Sequence, residues 1–339
     1  MHFYKRFLLI TLVCGGLIFS CKSKNPDVSD IKVDLTTRRF EQDFFKMDTS
    51  LLAAQLDPVI AKYPSFGENF LATILNVDPK WTPDTAFTYI KDFISSYRPV
   101  FDSSQKVFAD FSPYEKEIKK ALQYCKYYFP QYKVPTNIIT YIGPLDGYGD
   151  ILDSDVFIIG LHQHLGKSFS MYSNPWVRET YPDYITARFE PGYIPVNCMK
   201  NIVLDLYPEK QDDKTLVLQM VEKGKRLYLL QKLLPDTKEH MLIGYTEKQW
   251  KECMERQQQI WDLFVQNNFL QTIDYNIIKN YIGEGPKTQE LGDASPGNIG
   301  SFCGWQIVNK YMDKFPETKL PDLMALDAET IFQQAKYKP

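Results

Sequence analysis

Histidine is scarce in this chain, with four among 339 residues, and none falls in an HExxH pattern. That removes the commonest helical grip on a catalytic zinc ion, two imidazoles one turn apart with a glutamate beside the first. No GxSxG elbow, no GxxxxGK(S/T) loop and no GxGxxG after a strand pattern occurs either. The usual signatures of serine hydrolases, P-loop enzymes and dinucleotide enzymes are therefore missing. Gly297-Asn298-Ile299-Gly300 sits at a helix start and lacks the lysine that reaches phosphate. Charge of one sign is missing too: 39 Lys and Arg against 42 Asp and Glu leave −3, which supplies no basic field for nucleic acid and no strong acidic one. With 17 Gly and 21 Pro there is no collagen-like or linker-rich bias. Past residue 20 no apolar run approaches the 18 residues needed to cross a bilayer. What is present, 44% apolar and 24% charged residues, suffices for a large packed core and is too uncharged for disorder.

The strongest positive signal is the first line. Lys5 and Arg6 precede a short apolar run, Phe7 to Phe19, and then Ser20 and Cys21. The run is too short to span stably and has the form of a secretory signal. Ile18 three places before Cys21 and the small Ser20 just before it resemble a bacterial lipobox, which implies cleavage before Cys21 and acylation of its sulfur. A thiolate is nucleophilic enough to take such a group, and acyl chains then hold a membrane at about 0.8 kcal/mol per buried methylene. Residues 1–20 thus read as a lipoprotein signal peptide and 21–30, polar apart from Val28, as a flexible tether. The remaining 31–339 show no repeat and no composition break, and read as one domain in a bacterial envelope, with a periplasm-facing position preferred to the cell surface. Cys125, Cys198, Cys253 and Cys303 could form two disulfides there, but their wide spacing inside apolar helical patterns favours buried free thiols.

Periodicity predicts a mainly α protein with a small β-sheet, of the α+β class. Ile31, Val33 and Leu35 alternate as a strand does, and Asn137 to Ile142 and Asp155 to Leu161 read as two more, separated by the loop GPLDGYGD. Helices are expected over Ser50 to Lys62 and Asn69 to Leu75. Another runs from a capping box at Ser112 and Glu115 to Tyr128, and a fourth spans 212–234. The last two lie behind a second capping box at Thr246 and Gln249, and from Ser295-Pro296 onward. The last presents Gly300, Cys303, Gly304, Ile307 and Tyr311 on one face.

Candidate chemistry is sparse. His162 and His164, two apart at a strand end, could share a face and a metal; the simpler reading is a polar pair closing the strand. His240 reads as a solvated loop side chain. Glu190 and Glu222 could form an acid/base pair, but solvated or salt-bridged carboxylates are the simpler reading. No catalytic residue and no cofactor is assigned.

The stretches EPGYIPVNCMKNIVLDLYP from Glu190, DKTLVLQMVEKGKRLYLLQKLLPDT from Asp213 and SPGNIGSFCGWQIVNKYMDKF from Ser295 resemble the gliding motility lipoprotein GldB family, as do IGYTEKQW from Ile243 and the closing LDAETIFQQAKYKP. The resemblance implies an envelope lipoprotein, lipid-anchored at Cys21, whose partners are envelope proteins of a gliding and protein-secretion assembly. That family is in turn similar to zincin-like metallopeptidases. Here the first helix offers Cys198, Met199, Lys200 and Asn201 and no histidine. In the second, Lys223 precedes Gly224 and displaces Glu222 by one place, about 100° around the helix. The implied object is a zincin-like helical scaffold lacking its metal motif; a divergent envelope peptidase with a non-standard site is the alternative. A retained pocket could hold a peptide.

Overall fold

The computed structural model describes residues 25–210 and 214–339; the leader and Cys21 lie outside the described residues. A four-stranded sheet is built from β1 (Thr36–Arg39), β2 (Asn137–Tyr141), β3 (Ile151–Asp153) and β4 (Val156–Gly160), with isoleucine concentrated in the two central strands. Their order is β1-β2-β4-β3. β2 pairs in parallel with β1 and with β4, where Asn137 faces Val156 and Tyr141 faces Gly160, and β3 returns antiparallel on β4. β2 and β4 are buried over all but their first residue. A strand covered on both faces reads as a continuous apolar run, as β4 does; β2 departs from it at the buried Thr140.

Two strand expectations shift. Val33 and Leu35 are buried, but the ladder starts only at Thr36; alternation there records burial of an extended chain rather than pairing. β3 follows the expected loop GPLDGYGD directly, in residues for which no strand is expected, and turns into β4 through Ser154 at φ 48°. Val28, within the expected tether, is only 4% exposed and belongs to the core.

Helix α1 (Phe40–Phe45) follows β1 directly. Its Phe40 meets Phe70 at 4.7 Å and Phe66 at 5.0 Å between ring centroids, both edge-on, the favoured geometry for aromatic pairs. Beside them Glu41 is buried, accepting hydrogen bonds from Arg39 Nε and Thr140 Oγ1, each at 2.6 Å. Helix α2 (Ser112–Tyr128) ends where Pro130 predicts, but its expected capping box does not form. The Ser112 N–H instead donates to Asp110 Oδ1 at 2.9 Å, and Glu115 accepts from Thr37 Oγ1 at 2.6 Å.

Helices α3 (Tyr193–Leu206) and α4 (Leu216–Leu233) follow, then the short α5 (Glu239–Ile243) and α6 (Glu247–Glu255). The capping box at the start of α6 is formed, Gln249 N–H to Thr246 Oγ1 at 3.1 Å and Thr246 N–H to Gln249 Oε1 at 3.0 Å. The periodic run behind it breaks at Arg256, giving a separate helix over Gln257–Gln266. Helix α7 (Ile299–Lys314) begins four residues after Ser295 and crosses α4 where Gly224 meets Gly304. Lys225, nearly buried on α4, donates to the Leu326 carbonyl at 2.8 Å and ties the C-terminal segment to this pair. One apolar cluster runs from Val28 to Tyr337. All four described cysteines are free and buried, and burial pushes the Cys125 and Cys253 thiols up to about 12, so none is a ready nucleophile. Among the described residues no helix is long and apolar enough to cross a membrane.

Candidate functional site

Beyond β4 the chain leaves the extended conformation at Gly160 and enters a 3-10 turn, Leu161–Gln163. The two-residue alternation expected to bring His162 and His164 to one face therefore does not hold, and neither closes the strand in solvent. His162 is fully buried. It accepts the Gly143 N–H at Nδ1 (3.1 Å), and from Nε2 it donates to the Tyr148 carbonyl (3.0 Å). Burial holds its pKa down to about 3, because charging it would need a second donor bond where only the Gly143 donor is present. His164, also buried, sets Nε2 2.8 Å from Asp150 Oδ2 and Nδ1 3.2 Å from the Glu190 carbonyl.

Asp150 is the hub. Its carboxylate is 4% exposed and accepts from Gly160 N–H at 3.1 Å on Oδ1, and from Asn197 Nδ2 at 2.9 Å on Oδ2, beside His164. Its own carbonyl accepts from Asn201 Nδ2 at 3.2 Å. Asn197 and Asn201 stand one helical turn apart on α3, and both turn their amides to Asp150. The knot thus clasps α3 to the loop before β3. Asp150→Asn is expected to lower stability by about 2 kcal/mol, since the new amide would face donors with a donor of its own; the readout is a reduced urea midpoint at unchanged slope.

The zincin likeness implies a zinc ion, and these residues do not fit one. A ligating imidazole needs a free lone pair, and that of His162 is taken by Gly143 while both nitrogens of His164 are aimed at acceptors. Asparagines occupy the paired positions on α3. Among the described residues no three His, Cys, Asp or Glu side chains converge as a metal site would require. Glu222 lies elsewhere, in an ion cluster with Lys225 and Arg226 of its own helix, each at 3.4 Å. Glu190 shares no partner with it. The Glu190 Oε1 accepts from the Lys167 N–H at 3.1 Å.

Glu190 does line an open cleft of about 390 Å³, formed between the loop before α3, the α5–α6 turn, and the segments around Gly285 and Gly297. Contrary to the sequence reading, His240 is not a loop residue in solvent. It belongs to α5, is partly buried in the cleft wall, and its Nδ1 lies 3.1 Å from the Tyr245 carbonyl. A carbonyl only accepts, so Nδ1 carries a proton, and in the neutral tautomer Nε2 is the nitrogen with the lone pair. Opposite, Arg188 grips Glu284 with both arms, Nη1 to Oε1 at 3.2 Å and Nη2 to Oε2 at 3.0 Å. Nearby Lys200 is pushed down to about 8, first by burial and then by Arg188, with Glu284 opposing.

Sequence reasoning missed Asp150, Asn197, Arg188 and Glu284. The Asn197/Asn201 spacing was visible as a pattern, whereas Arg188 and Glu284 are 96 residues apart and nothing local connects them. No curated protein and no solved structure is significantly similar to the chain. A family model described as gliding motility protein GldB matches residues 21–339, nearly the whole length, and the chain belongs to that family.

Proposed function

We propose that the chain is a noncatalytic envelope lipoprotein, anchored through acylated Cys21, that supports gliding motility or the associated protein-secretion machinery by contacts with other envelope proteins. The observation that carries this reading is the GldB family match over residues 21–339. The hydrogen bonding of His162 and His164 supports the noncatalytic part, because it leaves neither imidazole a free nitrogen to offer a substrate or a metal.

Cross-linking in cells followed by pull-down of the tagged chain tests the reading, with Cys21→Ser as the control. Gliding or secretion components should be recovered with the native chain and depleted with the variant, while labelled palmitate enters only the native chain. Palmitate failing to enter would overturn the anchor. Peptide cleavage by the purified mature chain, abolished by one point mutation, would favour the divergent peptidase instead.

A further inference from the structure

The cleft beside Glu190 carries more polar equipment than a structural crevice requires. Its Arg188 guanidinium holds a carboxylate in the two-pronged geometry that makes arginine the preferred carboxylate receptor. The two partners are unequal: the Arg188 side chain is 18% exposed and Glu284 is 55% exposed. The receptor is sheltered, and the carboxylate that fills it sits on the solvent side. Arg188 is also held in place, since it lies across Gly244, where φ is +83° and any Cβ would strike the guanidinium. Lys200 lies near both groups, its pKa held down by burial and by Arg188 with Glu284 opposing.

The other acids of the cleft do not compete for that place. Glu190 is bonded to the Lys167 N–H, and Glu247 is solvent-exposed opposite Lys238 at 3.8 Å. His240 offers an acceptor nitrogen to an incoming N–H, with no partner for it among the described residues. Tyr184, Tyr193, Met241 and Ile243 give the same cleft apolar wall. Its volume of about 390 Å³ lies within the roughly 300–1,000 Å³ of small-ligand sites.

We propose that this cleft binds the C-terminal residue of a partner polypeptide: its carboxylate replaces Glu284 on Arg188, its amide N–H meets His240 Nε2, and its apolar side chain lies on the tyrosine-lined wall. Glu284 is then a built-in competitor that occupies the receptor until such a chain end arrives. This deepens the protein-contact reading given above and rests on it.

The test is calorimetric titration of the mature chain with an N-acetylated tripeptide ending in phenylalanine, as free acid and as C-terminal amide, and with acetate. The free acid should bind at least tenfold more tightly than the amide and than acetate. Glu284→Gln should tighten the acid peptide several-fold by removing the competitor, and Arg188→Lys should weaken it at least tenfold. Glu284 is exposed, so its variant keeps the test meaningful even if the Arg188 variant folds poorly. Equal binding of acid and amide, acetate binding as tightly as the peptide, or no binding to either the native chain or the Glu284 variant would overturn the proposal. A negative result here with gliding components still recovered by cross-linking would remove the cleft assignment and leave the protein-contact reading standing.

Discussion

Lowering the pH from 6.5 to 3 is expected to remove up to about 5 kcal/mol of stability through His162 alone. Its folded pKa is depressed to about 3 by burial, whereas in the unfolded chain it titrates near its ordinary 6.5. Between those values the unfolded state binds the extra proton and the native state does not, so stability rises with pH across that window and is complete above it. Glu41 acts in the opposite sense. Its burial raises its carboxyl pKa, so its own contribution falls as pH rises from 4.5 toward the folded value. The His162 share is isolated by comparing urea unfolding of the native chain and His162→Gln from pH 7 downward. Glutamine keeps one donor and one acceptor without a titrating group, and the difference between the two stability curves should flatten above pH 6.5 and steepen below it. Parallel curves would show that His162 does not carry the acid sensitivity.

Adding one methyl group at the α4–α7 crossing should cost about 3 kcal/mol. A Cβ on Gly304 would overlap the Met220 carbonyl, and one on Gly224 would overlap the Gly304 backbone. In both cases the obstacle is main chain rather than the tip of a flexible side chain, so relief requires the helices to part. Gly304→Ala is expected to lower the melting temperature by roughly 5 °C. Gly285→Ala is the control: space around its Cβ is open, and its melting temperature should stay within a degree or two of the native value. A Gly304 variant that melts with the control would mean the two helices are not locked at this contact.

How far each feature was readable follows from the distance over which it is encoded. Thr246 and Gln249 are three apart and their reciprocal cap formed as the spacing predicts. Ser112 and Glu115 have the same spacing and did not, because Asp110 two residues earlier satisfies the same backbone donor and Thr37, distant in sequence, claims the glutamate. The small-residue face with Gly304 was legible, since helical period alone lines those positions up; its partner Gly224 had to be found in space. The Asp150 knot joins residues 10 to 51 positions apart, and no local pattern marks a carboxylate that is satisfied from both the end of β4 and α3. His162 and His164 were misplaced because one 3-10 turn replaced the last strand residues, and rotating the backbone there redirects both rings.

The seating of Val28 in the core bears on how the proposed anchor would act. Seven residue steps separate Cys21 from Val28, and at about 3.4 Å per extended step they reach at most some 24 Å. A body acylated at Cys21 would be a short-leashed one, unable to sample the width of the periplasm. It would search for partners by diffusing in the plane of one leaflet, with the surface near its first strand turned toward the lipid.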